Sequence, residues 1–286
     1  MADALRLADI ANDPTIRHNV VQFSGGIGSW AASERVVPYA ATVQRMTLLI
    51  ADTHAEDEDL WRFAEEAALG FGLPLTKVED GRDPWTVFEH EGFLGNSHIA
   101  PCSRHLKQIP ARRWLEAHCD PADTIIHVGI DWTETHRIPA IVKGWAPWRV
   151  AFPMTEPPYL GKDQMLARAA SLDLTPPRLY RKGFIHNNCG GACVRGGQAA
   201  WAHLLEVFPD RFAAAEANEA RFRARHGNVA ILKDRRGGTT TPLPLSELRR
   251  RIETAPQQDA LFDAYSAYDQ DDWGGCGCMG DFANNR

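Results

Sequence analysis

Two groups of residues in this chain have types and spacing suited to chemistry: a glycine-rich loop near the N-terminus and six cysteines further on. The loop is Phe23-Ser24-Gly25-Gly26-Ile27-Gly28-Ser29-Trp30, between the apolar run Asn19-Val20-Val21-Gln22-Phe23 and a helix-forming segment, 30–37. Glycines let a backbone approach an anion closely, and the free N–H groups that open a helix supply donors and partial positive charge. Ser24 and Ser29 add hydroxyls. No lysine follows the glycines, so this is not a Walker A loop, and the spacing is not G-x-G-x-x-G. Taken alone, the same residues also make an ordinary strand-to-helix connection.

The cysteines are Cys102, Cys119, Cys189, Cys193, Cys276 and Cys278. Closely spaced cysteines in a reducing compartment point to metal or redox chemistry rather than to structural disulfides. In Cys189-Gly190-Gly191-Ala192-Cys193 two glycines between the thiols can bend the backbone around a metal. Cys102 precedes Arg104, His105 and Lys107, cations that would favour a thiolate as ligand or nucleophile; alternatively they bind a nucleotide phosphate and the thiol is incidental. Cys119, at the end of a helical segment, reads as a small buried hydrophobe.

These groups need a scaffold. Apolar runs at 46–52, 75–78 and 124–130 read as buried strands, and 60–71 has helical spacing with Leu60, Phe63, Ala64, Ala67 and Phe71 on one face. Strand and helix alternate, which predicts a parallel sheet with helices packed on it. In such sheets ligands meet the carboxyl ends of strands, which brings Asp52 and Thr53, and then Asp131, Glu134 and Arg137, toward the glycine loop. For Asp52 the alternative is a helix N-cap. After residue 195 helices are expected at 198–208, 211–226 and 246–254, with Ser246 as the last one's cap. The stretch 233–241 reads as a cationic hairpin, and a polar segment leads into the cysteine tail.

Bulk properties exclude several classes. The 286 residues carry a net charge of −6 and 44% apolar side chains, ordinary for a globular protein and without a global basic field. No apolar run has the length of a membrane span and no signal-peptide core opens the chain, so a cytoplasmic location is expected.

Taken in order, the motifs resemble the phosphoadenosine phosphosulfate (PAPS) reductase family of the PP-loop, adenine-nucleotide α-hydrolase superfamily. The loop is similar to that superfamily's Ser-Gly-Gly-x-Asp-Ser, with Gly28 at the Asp position. Further matches are Asp52-Thr53 with Glu58 to Phe63, Gly129-Ile130-Asp131 with Glu134 and Arg137, and Leu179-Tyr180-x-x-Gly183-Phe184 before Cys189. The resemblance implies a Rossmann-like, HUP-type α/β fold at 15–195, leaving 196–286 as a mainly helical extension. It implies an adenine nucleotide (PAPS, APS or ATP) held by Ser24, Gly25, Gly26, Gly28, Ser29, Asp52, Thr53, Lys107, Asp131 and Glu134, with Arg137 on phosphate or sulfate oxygens.

In one branch of the family a Cys-Cys-x-x-Arg-Lys-x-x-Pro segment and a later Cys-x-x-Cys hold a [4Fe–4S] cluster. Cys102, Lys107 and Pro110 match the first, Ser103 and Leu106 depart from it, and Cys189 and Cys193 match the second with one residue inserted. The resemblance thus places three ligands and leaves the fourth to Cys276 or Cys278, to a non-protein ligand or to none; the tail cysteines are alternatively the catalytic nucleophile, though the family's His after the tail cysteine is missing.

Three functions follow. The first is sulfonucleotide reduction with a thioredoxin-like thiol donor. The second is an ATP- and Mg-dependent sulfurtransferase, which takes a sulfur donor and a nucleic-acid component. The third is a non-catalytic nucleotide-binding protein with structural zinc on Cys189, Cys193, Cys276 and Cys278. No membrane partner is expected, and association into a homo-oligomer stays open.

Overall fold

The computed structural model describes residues 5–40, 45–96 and 98–254. Five strands form one sheet: β1 (His18–Gln22), β2 (Arg45–Asp52), β3 (Leu75–Glu79), β4 (Thr124–Val128) and β5 (Arg149–Ala151). Their order is β3-β2-β1-β4-β5 and every neighbouring pair is parallel. Every residue of β1 and β4 is buried, as expected where helices cover both faces.

Helix α1 (Leu7–Asn12) precedes the sheet. Helices α2 (Ile27–Ala40) and α3 (Glu58–Phe71) lie on one face, where Trp30, Ala31, Phe63 and Ala64 pack on Val21, Phe23, Leu48 and Ile50. After α4 (Pro84–Glu91), the short α5 (Pro101–Ser103) runs through one π-helical turn, Arg104–Gln108, into α6 (Ile109–His118). With α7 (Ile138–Trp145), α6 covers the opposite face: Ala111, Leu115, Ile141 and Trp145 meet Val20, Leu49 and Ile126. Helix α8 (Lys162–Ser171) returns to the first face through Met165 and Ala169. This is the doubly wound, Rossmann-like parallel sheet expected from the strand and helix alternation.

The chain continues through α9 (Arg178–Arg181), α10 (Gln198–Val207), α11 (Pro209–His226), the antiparallel hairpin β6 (Leu232–Asp234) and β7 (Thr241–Leu243), and α12 (Leu245–Thr254). Trp201, Leu204, Phe212 and Leu248 share a second core with Phe88, Leu94, Leu179 and Phe184, so both segments of the chain build it. Inside that core, the Glu219 carboxylate accepts the N–H groups of Ile231 (2.9 Å) and Leu245 (2.6 Å) and fixes hairpin and last helix to α11.

β5 is confined to Arg149–Ala151 between Pro147 and Pro153, which cannot donate to a ladder. Two local expectations are corrected. β4 stops at Val128 instead of reaching residue 130, because Gly129 turns against the backbone of the glycine loop. Helix α12 begins at Leu245, ahead of Ser246, with Glu219 taking its first N–H. No described helix is long and apolar enough to cross a membrane.

Candidate active site

Strand order reverses between β1 and β4, and the crevice at their carboxyl ends is where an open α/β sheet receives ligands. The glycine loop lines it. The Ser29 hydroxyl donates to Gly26 O (2.8 Å) and accepts the Ser24 N–H (3.1 Å), which closes the loop on itself. Two outside residues tie it down: the Tyr180 hydroxyl accepts the Ile27 N–H at 3.1 Å, and the Asn187 amide donates to Gly25 O at 2.9 Å. A Cβ at Gly28 would lie 2.9 Å from the Gly129 carbonyl oxygen. The backbone that brings α2 against the end of β4 thus has no room for a side chain where the family carries Asp.

On the β2 side the site is closed and charge-balanced. Thr53, 1% exposed, donates to Glu56 (3.0 Å), and Glu56 pairs with the buried Lys107 (3.1 Å) and accepts the Cys189 N–H (2.6 Å). Next along the chain, Asp57 caps α3 and pairs with Arg178 and Arg211, each at 2.7 Å. Burial pushes its carboxyl up, yet the hydrogen bond from Arg211 and the pairing with Arg178 outweigh that and hold it below the usual carboxylate range.

Cys189, Gly190 and Gly191 all have positive φ (48°, 59° and 90°), a run that a non-glycine residue enters only under constraint. The constraints are the Glu56 carboxylate on the Cys189 N–H and the Arg211 guanidinium on Gly190 O (2.8 Å). The turn sets the Cys189 and Cys193 side chains in hydrogen-bond contact. That bond, then burial and the nearby Glu56 charge, push the Cys189 thiol well up, with Lys107 opposing. The two sulfurs lie close enough to share one soft cation, which would take them as thiolates and so has to displace the protons that burial favours. Cys102 belongs to the same apolar cluster as Ala192 and Val194, on either side of Cys193. Among the described residues Cys102, Cys189 and Cys193 do not gather as three ligand atoms within 4.8 Å of one another, so the structure pairs Cys189 with Cys193 and does not bring Cys102 to them; Cys276 and Cys278 lie outside the described residues.

On the β4 side the groups are more open. Asp131 caps the turn Trp132–Arg137 by accepting the Thr133 N–H (2.8 Å), and Glu134 pairs with Arg137. Lys162 donates to Ile185 O at 2.6 Å; burial lowers its pKa, against the pull of Glu134 and Asp131. His186 is held down to about 3 by burial and by the Lys162 and Arg137 charges, so it is neutral at pH 7. Trp132 and Tyr159, about half exposed, face each other at 6.0 Å.

Asp52 sits apart from both groups. Its carboxylate meets Lys77 at 2.5 Å and accepts the His54 N–H, so it is neither an N-cap nor open. With His54 and Glu79 it brings three potential ligand atoms within 4.8 Å, but the Lys77 ammonium already holds the Asp52 oxygen that a hard cation would take.

Sequence reading did not assign Glu56, Lys162, Tyr180, His186 or Asn187. Tyr180 stands in Leu179-Tyr180-x-x-Gly183-Phe184, and His186 and Asn187 in the polar run between that motif and Cys189, which were the available signals. Glu56 and Lys162 carried none.

A parallel doubly wound sheet with a glycine loop at its switch point places this chain among the Rossmann-like α/β proteins, whose ligand crevice lies at that point. No family model and no curated protein matches the chain. Among solved structures it is similar to PAPS reductase from Candida auris in a phosphate complex (13% identity, TM-score 0.43), over 63% of this chain and 86% of that one. NMN synthetase from Francisella tularensis aligns at 13% identity and TM-score 0.47, over 77% and 89%. The U34-tRNA thiolase NcsA from Methanococcus maripaludis, with its [4Fe-4S] cluster, aligns at 13% and 0.42, over 92% and 80%. At these identities and scores the likenesses carry no argument about the reaction.

Proposed function

We propose that the protein is an enzyme of sulfur chemistry on an adenine nucleotide, of the sulfonucleotide-reductase type. The observation that carries this reading is the short link between anion loop and thiols: Asn187, whose amide donates a hydrogen bond to Gly25 O, stands two residues before Cys189. The loop and the opening of α2 hold phosphate or sulfate oxygens, and Arg137 and Lys162 add positive charge from the β4 side. A cysteine thiolate, from Cys276 or Cys278, attacks the sulfur of the phosphosulfate; the S–O bond breaks, the nucleotide leaves with the electron pair, and a cysteine thiosulfonate forms. A second thiolate, from a thioredoxin-like dithiol, attacks the cysteine sulfur and releases sulfite; the dithiol ends oxidised.

Cys102, Cys189 and Cys193, with Cys276 or Cys278, would hold a [4Fe–4S] cluster, or zinc in its place. With four thiolate ligands such a centre would be net negative, and what it would supply is a fixed position for the cysteine turn. Gly28 favours the reductase over ATP-dependent transfer, because the Asp it replaces is associated with ATP hydrolysis in the superfamily.

The test is sulfite release from adenosine 5′-phosphosulfate and its 3′-phosphorylated form by anaerobically purified protein with reduced thioredoxin. Sulfite from either nucleotide, lost on Cys276→Ser or Cys278→Ser, is the expected result. Pyrophosphate release from ATP and a thiolated nucleoside, with no sulfite, would transfer the site to the sulfurtransferase reading, in which Mg and a nucleic-acid component enter. Zinc without iron, and neither activity, would leave a structural metal protein.

A further inference from the structure

The side chains of Cys189 and Cys193 are in hydrogen-bond contact, both are free thiols, and both are half-buried rather than sealed off. Among the described residues no third ligand atom gathers with them. A structural metal held by thiolates is four-coordinate. The described part of this site is therefore complete as a dithiol and incomplete as a metal centre.

The pair is also held ready to react. Cys189 sits at φ 48°, which a non-glycine residue keeps only when its surroundings impose it. Glu56 accepts the Cys189 N–H at 2.6 Å and Arg211 donates to Gly190 O at 2.8 Å. Each anchor is fixed in turn, Glu56 by the buried Lys107 at 3.1 Å and Arg211 by Asp57 at 2.7 Å. The Ala192 N–H bonds Cys189 O and the Gly196 N–H bonds Cys193 O, both at 2.9 Å, so a closed turn follows each thiol. A Cβ at Gly191 would stand 2.7 Å from the Phe184 ring, which shows how closely the turn packs on the protein. The ordering that brings two sulfurs together is thus already present in the reduced state, and such pre-positioning favours bond formation between them.

We propose that Cys189 and Cys193 are a redox couple, cycling between dithiol and disulfide, and serve as the internal reductant of the reaction above. The substrate of the couple rests on the reductase reading; the couple itself does not. One thiolate of the pair, in place of the external dithiol, attacks the tail-cysteine sulfur of the thiosulfonate. The bond from that sulfur to the sulfonate breaks, and sulfite leaves with the electron pair. The second thiolate attacks its partner's sulfur in the resulting mixed disulfide, which frees the tail thiolate and closes the Cys189–Cys193 bond. The pair gives up two electrons and two protons, one proton going to the tail thiolate and the other to sulfite. A thioredoxin-like dithiol then reduces the new disulfide and is oxidised itself. A disulfide and a metal exclude each other on these sulfurs, so the couple operates in metal-free protein.

The experiment uses full-length protein treated with a chelator, reduced with a phosphine and desalted under nitrogen. In the first arm it is equilibrated with graded mixtures of reduced and oxidised dithiothreitol, quenched in acid, unfolded, alkylated and mapped by mass spectrometry. Cys189 and Cys193 should lose the label together and regain it on reduction, while Cys102 and Cys119 keep it throughout. In the second arm adenosine 5′-phosphosulfate and its 3′-phosphorylated form are added with no thiol donor. About one sulfite per chain is expected, with the pair oxidised afterwards. Cys189→Ser and Cys193→Ser should instead accumulate the tail thiosulfonate and release sulfite only when reduced thioredoxin is added. The first arm needs no variant, so a serine form that folds poorly does not decide the outcome. The proposal is overturned if no disulfide joins the pair in any mixture, or if either thiol links to the tail instead. It is equally overturned if the unaltered protein accumulates thiosulfonate and releases no sulfite until thioredoxin is supplied, a result that keeps the reductase reading. A reversible disulfide with no sulfite even in the presence of thioredoxin removes the reductase reading and leaves the couple standing.

Discussion

The two flanks of the glycine loop solve the same electrostatic problem in opposite ways. On the β2 side, Glu56 meets Lys107 and Asp57 meets Arg178 and Arg211, with the Asp57 side chain 1% exposed. On the β4 side, Glu134 and Arg137 pair with side-chain exposures of 32% and 12%, and Trp132 and Tyr159 stand in solvent beside them. Buried ions must be matched by the protein, while partly exposed ones keep water as a partner. The β2 flank is therefore built to hold a fixed geometry around the thiols, and the β4 flank retains charge that a ligand can claim.

The sharpest contrast is in stability. Asp57→Ala removes the cap of α3 and the charged hydrogen bonds to Arg178 and Arg211, both about a third exposed, and should cost about 2–3 kcal/mol in urea unfolding. A loss below about 1 kcal/mol would erase the distinction between the flanks.

Acid should act on the β4 flank through His186. The unfolded chain takes up this proton near pH 6.5 and the folded chain only near 3, so its contribution is complete above 6.5 and declines as pH falls between the two. From pH 6.5 to 5 that amounts to about 2 kcal/mol. His186→Gln should remove this share of the pH dependence. His18 and His127, held at about 4 and about 3 by burial within the sheet, keep the same sign in the variant.

The Tyr180 hydroxyl accepts the Ile27 N–H of the loop in a neutral hydrogen bond, so Tyr180→Phe should cost about 1 kcal/mol. A change of more than tenfold in phosphosulfate affinity would move that hydroxyl from supporting the loop to touching the ligand. Smallest of all, Glu134→Ala should lower stability by less than about 1 kcal/mol. It should also tighten sulfate binding by freeing Arg137; unchanged or weaker binding would argue that Glu134 orients that arginine instead.

The β-strands, the glycine loop and the apolar face of α3 were legible because each is a local pattern: a short apolar run, a turn composition, a 3.6-residue spacing. The site was legible only where a motif marks it. Glu56 is an unremarkable acid in a loop, and its importance comes from Lys107 and Cys189 arriving from elsewhere in the chain. The π turn at Arg104–Gln108 shifts Lys107 and Gln108 inward, and no propensity or period announces one extra residue in a helical turn. Gly28 was read as a departure from the family pattern; its cause, the Gly129 carbonyl 2.9 Å from where a Cβ would stand, exists only in three dimensions.

Arg211 holds the Gly190 carbonyl from a helix that is translated after the turn it secures. On the ribosome, Cys189 and Cys193 leave the exit tunnel before the helix that carries that guanidinium does. The left-handed run at 189–191 lacks one of its two constraints until α11 has been made and docked. Metal or oxidant arriving in that interval meets thiols on a loose chain, so the order of synthesis makes loading of these cysteines a late event in the protein's maturation.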